Sequence, residues 1–279
     1  MDQTHGHYLL GIEGLALLRA KGDLPARVRE VRELLDTFDD EPRALPSVDP
    51  ATGYAGWAGS YDEPGNDTVA AEEPVVRALL DELPDGPVLD AACGTGRHTA
   101  HLVASGRAEV IGVDASEAML ARARAKLPQV DFRAGDLTAL PLPDASVAGA
   151  VCALALSHLP DLKPAIAELA RVLQPGGRLV ISNPHPFATG ILRWRAVYTD
   201  PATGSRTEIP EYPHLASDYV DAFNAAGLTV TRLIEPTLGE AAARARAKRG
   251  EPDAFADALT GVPFLIVWEA AAPAAGAAR

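Results

Sequence analysis

Two cysteines, Cys93 and Cys152, are all that the chain holds. They are too few for a disulfide framework and point to a reducing compartment. No stretch approaches the ~18 uninterrupted apolar residues of a membrane span. The start, Met1 to His7, has no basic stretch of the kind that opens a leader. Positive charge is also short, since 25 Lys and Arg face 38 Asp and Glu for a net charge of −13. So acidic a surface repels polyanions, and nucleic acid and anionic membranes are not expected partners. No internal repeat is present. The expectation is a cytoplasmic protein with a small-molecule partner. Its 279 residues, 47% apolar and 23% charged, suit a globular chain that buries roughly 75% of its unfolded surface.

Leu24, Val28, Val31, Leu35 and Phe38 recur at helical spacing, and residues 8–18 are apolar around most of a helix circumference. The first forty residues therefore read as two helices. From 41 to 65, Pro42, Pro46, Pro50 and Pro64 mix with Gly53, Gly56, Gly59 and Gly65, which predicts a loop without long regular structure. Tyr54, Trp57 and Tyr61 in the same stretch are more rings than a solvated linker keeps, so it is expected to lie against the body. Residues 1–65 are taken as one unit, a lid or a homodimer element. Next, Pro74 opens a helix. Strands are predicted at 87–92, 109–114, 130–134, 147–156, 178–182, 228–234 and 264–269, with helices between. That alternation gives a doubly wound α/β sheet over 66–269, with an insertion at 185–216 and a frayed tail at 270–279.

The sharpest signal is Asp90-Ala91-Ala92-Cys93-Gly94-Thr95-Gly96, a turn leaving the first strand. Ligands of such sheets bind beyond the carboxyl ends of the strands. Gly94 and Gly96 remove Cβ atoms where a ligand must approach the backbone. Asp114, at the end of the second strand, can accept both hydroxyl hydrogens of a ribose, and Asp136, at the end of the third, an exocyclic adenine amine. A dinucleotide fingerprint would want glycine where Thr99 stands and has no use for Asp90. Three acids on successive strand ends suit a cationic nucleoside, which is a chemical argument for S-adenosylmethionine.

With Val113-Asp114-Ala115-Ser116-Glu117-Ala118-Met119-Leu120, Gly135-Asp136-Leu137 and Leu173-Gln174-Pro175-Gly176-Gly177 following in register, the chain resembles the class I S-adenosylmethionine-dependent methyltransferases. The resemblance implies a Rossmann-like sheet of seven strands in order 3-2-1-4-5-7-6, the last antiparallel. It implies that Gly94 and Gly96, beside Ala92, line the methionine portion and that Asp114, beside Ala115, holds the ribose. Met119 would pack on the adenine, Asp136 and Leu137 would bracket its edge, and Ala153 and Leu154 would face the methyl donor. Asp90 would hold the ammonium side. Tyr61-Asp62 resembles an entry segment folded over the cofactor, and the stretch 187–212 is where the family sets acceptor specificity.

His158, His185 and His214 follow the presumed strand ends, and with Tyr61 they are the candidate bases for an acceptor that must lose a proton. Each is as readily an ordinary structural side chain. His98 and His101 lie three apart on one helix but have no third ligand, so no metal is expected. Cys93 reads as a small buried residue, and Arg244, Arg246, Lys248 and Arg249 as a solvated helix face. Phe187, Trp194, Tyr198 and Tyr212 favour an aromatic or heteroaromatic acceptor from secondary metabolism, methylated on C, N or O. A quinone-ring C-methyltransferase, an RNA or protein methyltransferase, a sensor or pericyclic catalyst that binds without transferring, and a nicotinamide dehydrogenase are the alternatives.

Overall fold

The computed structural model describes residues 5–19, 22–37, 45–63, 65–200, 203–248 and 251–276. The expected loop prolines Pro42 and Pro64, the helical Phe38 and the basic Arg249 lie outside them, as do the last three residues of the predicted tail.

Helices α1 (His5–Leu18) and α2 (Leu24–Asp36) pack against each other, with Asp23 accepting from Ala26 N at 3.1 Å to cap the second. Ile12 and Ala16 of α1 are fully buried in a cluster with Phe255, Leu259 and Phe264 from the other end of the chain. The loop reading of 41–65 needs correction, because α3 (Pro50–Trp57) forms inside it. Pro50 sits in the first turn, where its missing N–H costs nothing, and Asp49 caps the helix through Thr52 N at 3.0 Å. Its glycines serve close packing. A Cβ on Gly53 would stand 2.5 Å from Ile209, and one on Gly56 2.6 Å from the Tyr198 hydroxyl. A second correction concerns Pro74, which lies inside α4 (Asp67–Asp81). Asn66 caps that helix two turns earlier than the proline suggests.

Beyond α4 the predicted alternation runs β1 (Val88–Ala91), α5 (Arg97–Ala104), β2 (Val110–Asp114), α6 (Glu117–Lys126), β3 (Asp131–Ala134), β4 (Val147–Ala153), α7 (Lys163–Val172) and β5 (Leu173–Pro184). The expected insertion contains a π-helical turn (Phe187–Ile191) and a two-stranded hairpin, β6 (Ala196–Thr199) with β7 (Arg206–Ile209). Then follow α8 (Ala216–Ala225), β8 (Thr229–Ile234), α9 (Glu240–Ala247), α10 (Phe255–Leu259) and β9 (Leu265–Ala271). The tail begins after Ala271 instead of at 270, because Ala270 and Ala271 pair with Leu179 and Arg178.

The large sheet has the order β3-β2-β1-β4-β5-β9-β8. With the hairpin strands set aside this is 3-2-1-4-5-7-6, and β9 runs antiparallel to both neighbours. Alternation along each strand divides the core into two layers. Leu89 and Ala91 face α7 and α8, with Ile166, Leu169, Tyr219 and Phe223 in one cluster. Val88, Val151, Val180 and Val267 face α4 and α5, with Val76, Leu80 and Leu102. By the same alternation Asp90 points to the α4–α5 side. The chain reverses direction across the sheet between β1 and β4, so the carboxyl ends of these two strands form the crevice where a ligand is held.

Candidate active site

Two residues other than glycine at this crevice have left-handed backbone, Ala92 after β1 (φ +56°) and Leu154 after β4 (φ +55°). Such conformations cost of order 1–3 kcal/mol and collect at functional sites. Gly94 (φ +54°) and Gly96 (φ +82°) share the turn with Ala92 but differ in surroundings. Nothing stands within 4 Å of a Cβ placed on Gly94, whereas one on Gly96 would touch Ala123 of α6 at 3.4 Å. Gly94 therefore opens on a cradle, and Gly96 brings the turn against a helix.

Asp114 ties the second strand end to the first. Its Oδ2 accepts Gly94 N–H at 2.7 Å and its Oδ1 accepts Ser116 N–H at 2.8 Å. Burial raises its pKa, and the N–H groups of Ser116 and Gly94 resist the rise. A carboxylate has about four acceptor positions, so two remain for a pair of vicinal hydroxyls. The open cradle at Gly94 and this half-used carboxylate fit a nucleoside bearing a small-group donor. Asp136 is exposed and accepts Thr138 N–H and hydroxyl at 2.7 and 2.6 Å, which fixes the turn that presents half-buried Leu137. Ala115 is exposed, Ala153 half-buried, and Met119 lies buried in α6 at 1% exposure.

Asp90 has an occupation other than the one its position suggests. At 2% exposure its Oδ2 accepts both Thr99 N (2.8 Å) and Thr99 Oγ1 (2.6 Å), so it fixes the first turn of α5 from beneath. Beside it lies a group invisible to motif reading. Glu72 of α4 is fully buried and accepts from Arg97 Nη1 at 2.6 Å, His98 Nε2 at 3.0 Å and Ser182 Oγ at 2.7 Å. Burial opposes its charge, but His98, Arg97 and Ser182 outweigh burial and hold it down to about 2. His101 instead meets Asp81, so the two histidines of α5 have separate partners.

A cleft of about 1130 Å³ adjoins Leu154. Its walls include Tyr54, Trp57 and Tyr61 from the α3 region, Trp194 and Arg195 before the hairpin, and Glu211 after it. Tyr54, Trp57 and Tyr61 form one ring cluster, with centroids 5.2–6.1 Å apart, and Trp57 stacks on Tyr198 of the hairpin. Of the candidate bases, Tyr61 lines the cleft and His158 stands directly behind Tyr54. His158 Nδ1 lies 2.7 Å from Pro210 O, which can only accept, so Nδ1 carries the proton. Nε2 is then the acceptor for the Tyr54 hydroxyl at 2.8 Å. Burial lowers the pKa of this imidazole against the opposing carbonyl, consistent with the neutral ring.

The other two histidines are engaged elsewhere. His185 Nε2 meets Glu235 at 3.1 Å while Nδ1 accepts Phe187 N–H, and His214 Nε2 donates to Leu159 O at 2.7 Å. Neither is among the residues lining the cleft. Arg246 corrects the reading of a solvated basic face. It bonds Asp67 at 2.8 Å and lies 4.7 Å over the Trp194 ring, inside the cleft wall. Glu72 and Glu211 are residues the sequence does not mark, and Tyr54 is marked only as one of three rings expected to lie against the body. The cluster of rings near Tyr54 was the one available signal.

Residues 88–177 match the family described as a methyltransferase domain. A probable S-adenosylmethionine-dependent methyltransferase of Mycolicibacterium smegmatis is 40% identical over 146 residues, 52% of this chain and 56% of that one. Residues 88–177 thus form a methyltransferase domain, and over about half its length the chain is similar to S-adenosylmethionine-dependent methyltransferases. The demethylmenaquinone methyltransferase of Renibacterium salmoninarum is 37% identical over 119 residues, 42% of this chain and 48% of that protein. The chain thus spans about half the length of these curated relatives. The crystal structure of an S-adenosylmethionine-dependent methyltransferase from Mesorhizobium loti aligns with a TM-score of 0.55 at 25% identity, over 72% of this chain and 97% of that one. Among the described residues no helix is long and apolar enough to cross a membrane.

Proposed function

We propose that this chain transfers a methyl group from S-adenosylmethionine to a small aromatic or heteroaromatic acceptor held in the cleft beside Leu154. The observation that carries the reading is the union of an open cradle at Gly94 with Asp114, whose unused acceptor positions face it from the neighbouring strand end. Gly94 and Ala92 hold the methionine portion, Asp114 and Ala115 the ribose, and Met119, Asp136 and Leu137 the base. Asp90 acts through the turn it anchors. Tyr61-Asp62, with residues 1–65 behind it, covers the site.

The bound group supplies an electrophilic methyl on a sulfonium, and the displacement needs little covalent help. The protein's share is alignment of the acceptor and exclusion of water. Leu154 and the rings of Tyr54, Trp57 and Tyr61 bound the acceptor's place. His158 assists through Tyr54: by accepting the phenol hydrogen it turns the lone pairs of the phenol oxygen toward the acceptor. Tyr61 steers from the same wall, and the engaged His185 and His214 shape the wall from outside it.

Calorimetric titration with S-adenosylhomocysteine, with NAD alongside, tests the reading. Binding by the wild type, weakened in Asp114→Ala and absent for NAD, supports it. No binding of the thioether overturns it.

A further inference from the structure

The cleft wall next to Leu154 holds a carboxyl group with no task in the reading above. Glu211 lies two residues beyond β7, half-buried in the wall. Ser157, three residues beyond Leu154, donates its hydroxyl to Glu211 Oε1 at 3.2 Å, and Ser157 O accepts Tyr212 N–H at 2.7 Å. These two bonds hold the end of the hairpin segment against the end of β4, so the carboxyl is fixed close to the strand end that faces the methyl donor. Ser157 is itself set by Asn183 Oδ1, which accepts its N–H at 3.0 Å.

The groups facing Glu211 come from every neighbouring element. Arg195 stands before β6 with its Nη1 bound to the carbonyls of Thr189 and Trp194, and Ala196 N–H turns toward the carboxylate. Tyr54 faces it from α3, with neutral His158 behind. The walls nearby include ring surfaces, which grip a flat molecule but do not read its hydrogen-bond donors. A fixed carboxyl among them is left without a full set of donors until a ligand brings one.

We propose that Glu211 selects the methyl acceptor, binding the O–H or N–H of an aromatic compound at the atom to be methylated and receiving that proton during transfer. This rests on the methyl-transfer reading and narrows it to heteroatom acceptors, because a ring carbon presents no such donor before it reacts. The acceptor's oxygen or nitrogen forms the new bond to the methyl carbon while the carbon–sulfur bond breaks, its pair staying on sulfur as a thioether. The acceptor's O–H or N–H bond breaks and its proton passes to a Glu211 oxygen. Burial raises Glu211 to about 7 against Ser157 and Arg195, so near neutral pH the group is both ionised and basic enough to take a proton.

The test uses the full chain loaded with S-adenosylhomocysteine and two fluorescent probes, 2-naphthol and 2-methoxynaphthalene, in the second of which a methyl group replaces the donor hydrogen. The wild type is expected to bind 2-naphthol roughly tenfold more tightly, the scale of a hydrogen bond to a charged group. That preference should shrink toward unity as the pH falls from 8 to 5.5 and Glu211 takes up a proton. In Glu211→Met it should be absent at every pH, and in Glu211→Gln small and independent of pH, with S-adenosylhomocysteine affinity unchanged in both. Equal affinity for the two probes in the wild type, binding of neither, or a preference that survives Glu211→Met overturns the proposal. Failure of the wild type to bind S-adenosylhomocysteine is a separate result, and it removes the methyl-transfer reading itself.

Discussion

Asp62, just before α4, accepts the Thr95 hydroxyl of the glycine-rich turn at 2.7 Å, although 33 residues separate the two. Lys126 of α6 reaches both, pairing with Asp62 and donating to Thr95 O at 3.1 Å. The segment carrying Tyr61 is thereby fastened to the glycine-rich turn and to α6.

Asp62→Ala releases this fastening. The ion pair with Lys126 is about 40% exposed on each side and contributes at most ~1 kcal/mol to stability, so the melting temperature should barely move. Dissociation of S-adenosylhomocysteine should quicken about fivefold, because one hydrogen bond holding the cover is gone. Stopped-flow displacement measures it, and an unchanged dissociation rate would show that the cover does not gate the site.

Gly94→Ala and Gly96→Ala separate cradle from scaffold. Both force a side chain into left-handed backbone, at about 1–2 kcal/mol each. At Gly94 the new methyl group enters open space that the cofactor needs, and affinity for S-adenosylhomocysteine should fall about tenfold or more. At Gly96 it lies in ordinary contact with Ala123 and away from the cradle, so the backbone strain lowers stability and affinity changes less. Calorimetry and thermal melts on the pair give the comparison.

Glu72→Gln breaks a buried ionic cluster and leaves Arg97 without its full counter-charge. Such losses cost about 3–5 kcal/mol, read as a lower urea midpoint at pH 7. The folded carboxyl is held down to about 2, below its unfolded value, so its contribution is full above pH ~4.5 and disappears as the pH falls toward 2. The gap between wild type and variant should therefore narrow at pH 3.

His158 titrates with the same sign at a higher pH. Burial lowers its folded pKa below the unfolded value near 6.5, so the unfolded chain binds the proton first. Its contribution is complete above pH ~6.5 and is lost as the pH drops below that value. Between pH 7 and 5.5 the wild-type urea midpoint should fall more steeply than that of His158→Gln, in which Tyr54 keeps a hydrogen-bond acceptor.

Motif spacing carried most of the sheet and the cradle. The turn at Gly94 and Gly96 and the acid at Asp114 follow from local patterns of a few residues, whereas the order of the seven strands, 3-2-1-4-5-7-6, came from the family resemblance that those motifs carry. The insertion was placed but not its hairpin, since Ala196–Thr199 and Arg206–Ile209 are four residues each and only half-buried. Periods that short give no alternation to read. In α3 the glycines and the proline looked like loop residues because their purpose, close approach to Ile209 and Tyr198, belongs to another part of the chain.

Taken alone, the sequence determined what adjacent residues decide: backbone freedom at the turn, apolar strands long enough to be buried, and an acid at each of three strand ends. Tertiary structure decided which way those acids face and what they meet. Strand alternation sent Asp90 toward Thr99 and α5, and the parallel pairing of β2 with β1 brought Asp114 to the cradle. It also joined Glu72 to Arg97, Tyr54 to His158 and Ser157 to Glu211, partners 25, 104 and 54 positions apart. No local period links such pairs, because their energy comes from burial and hydrogen bonds that exist only once the sheet and its covering segments have closed.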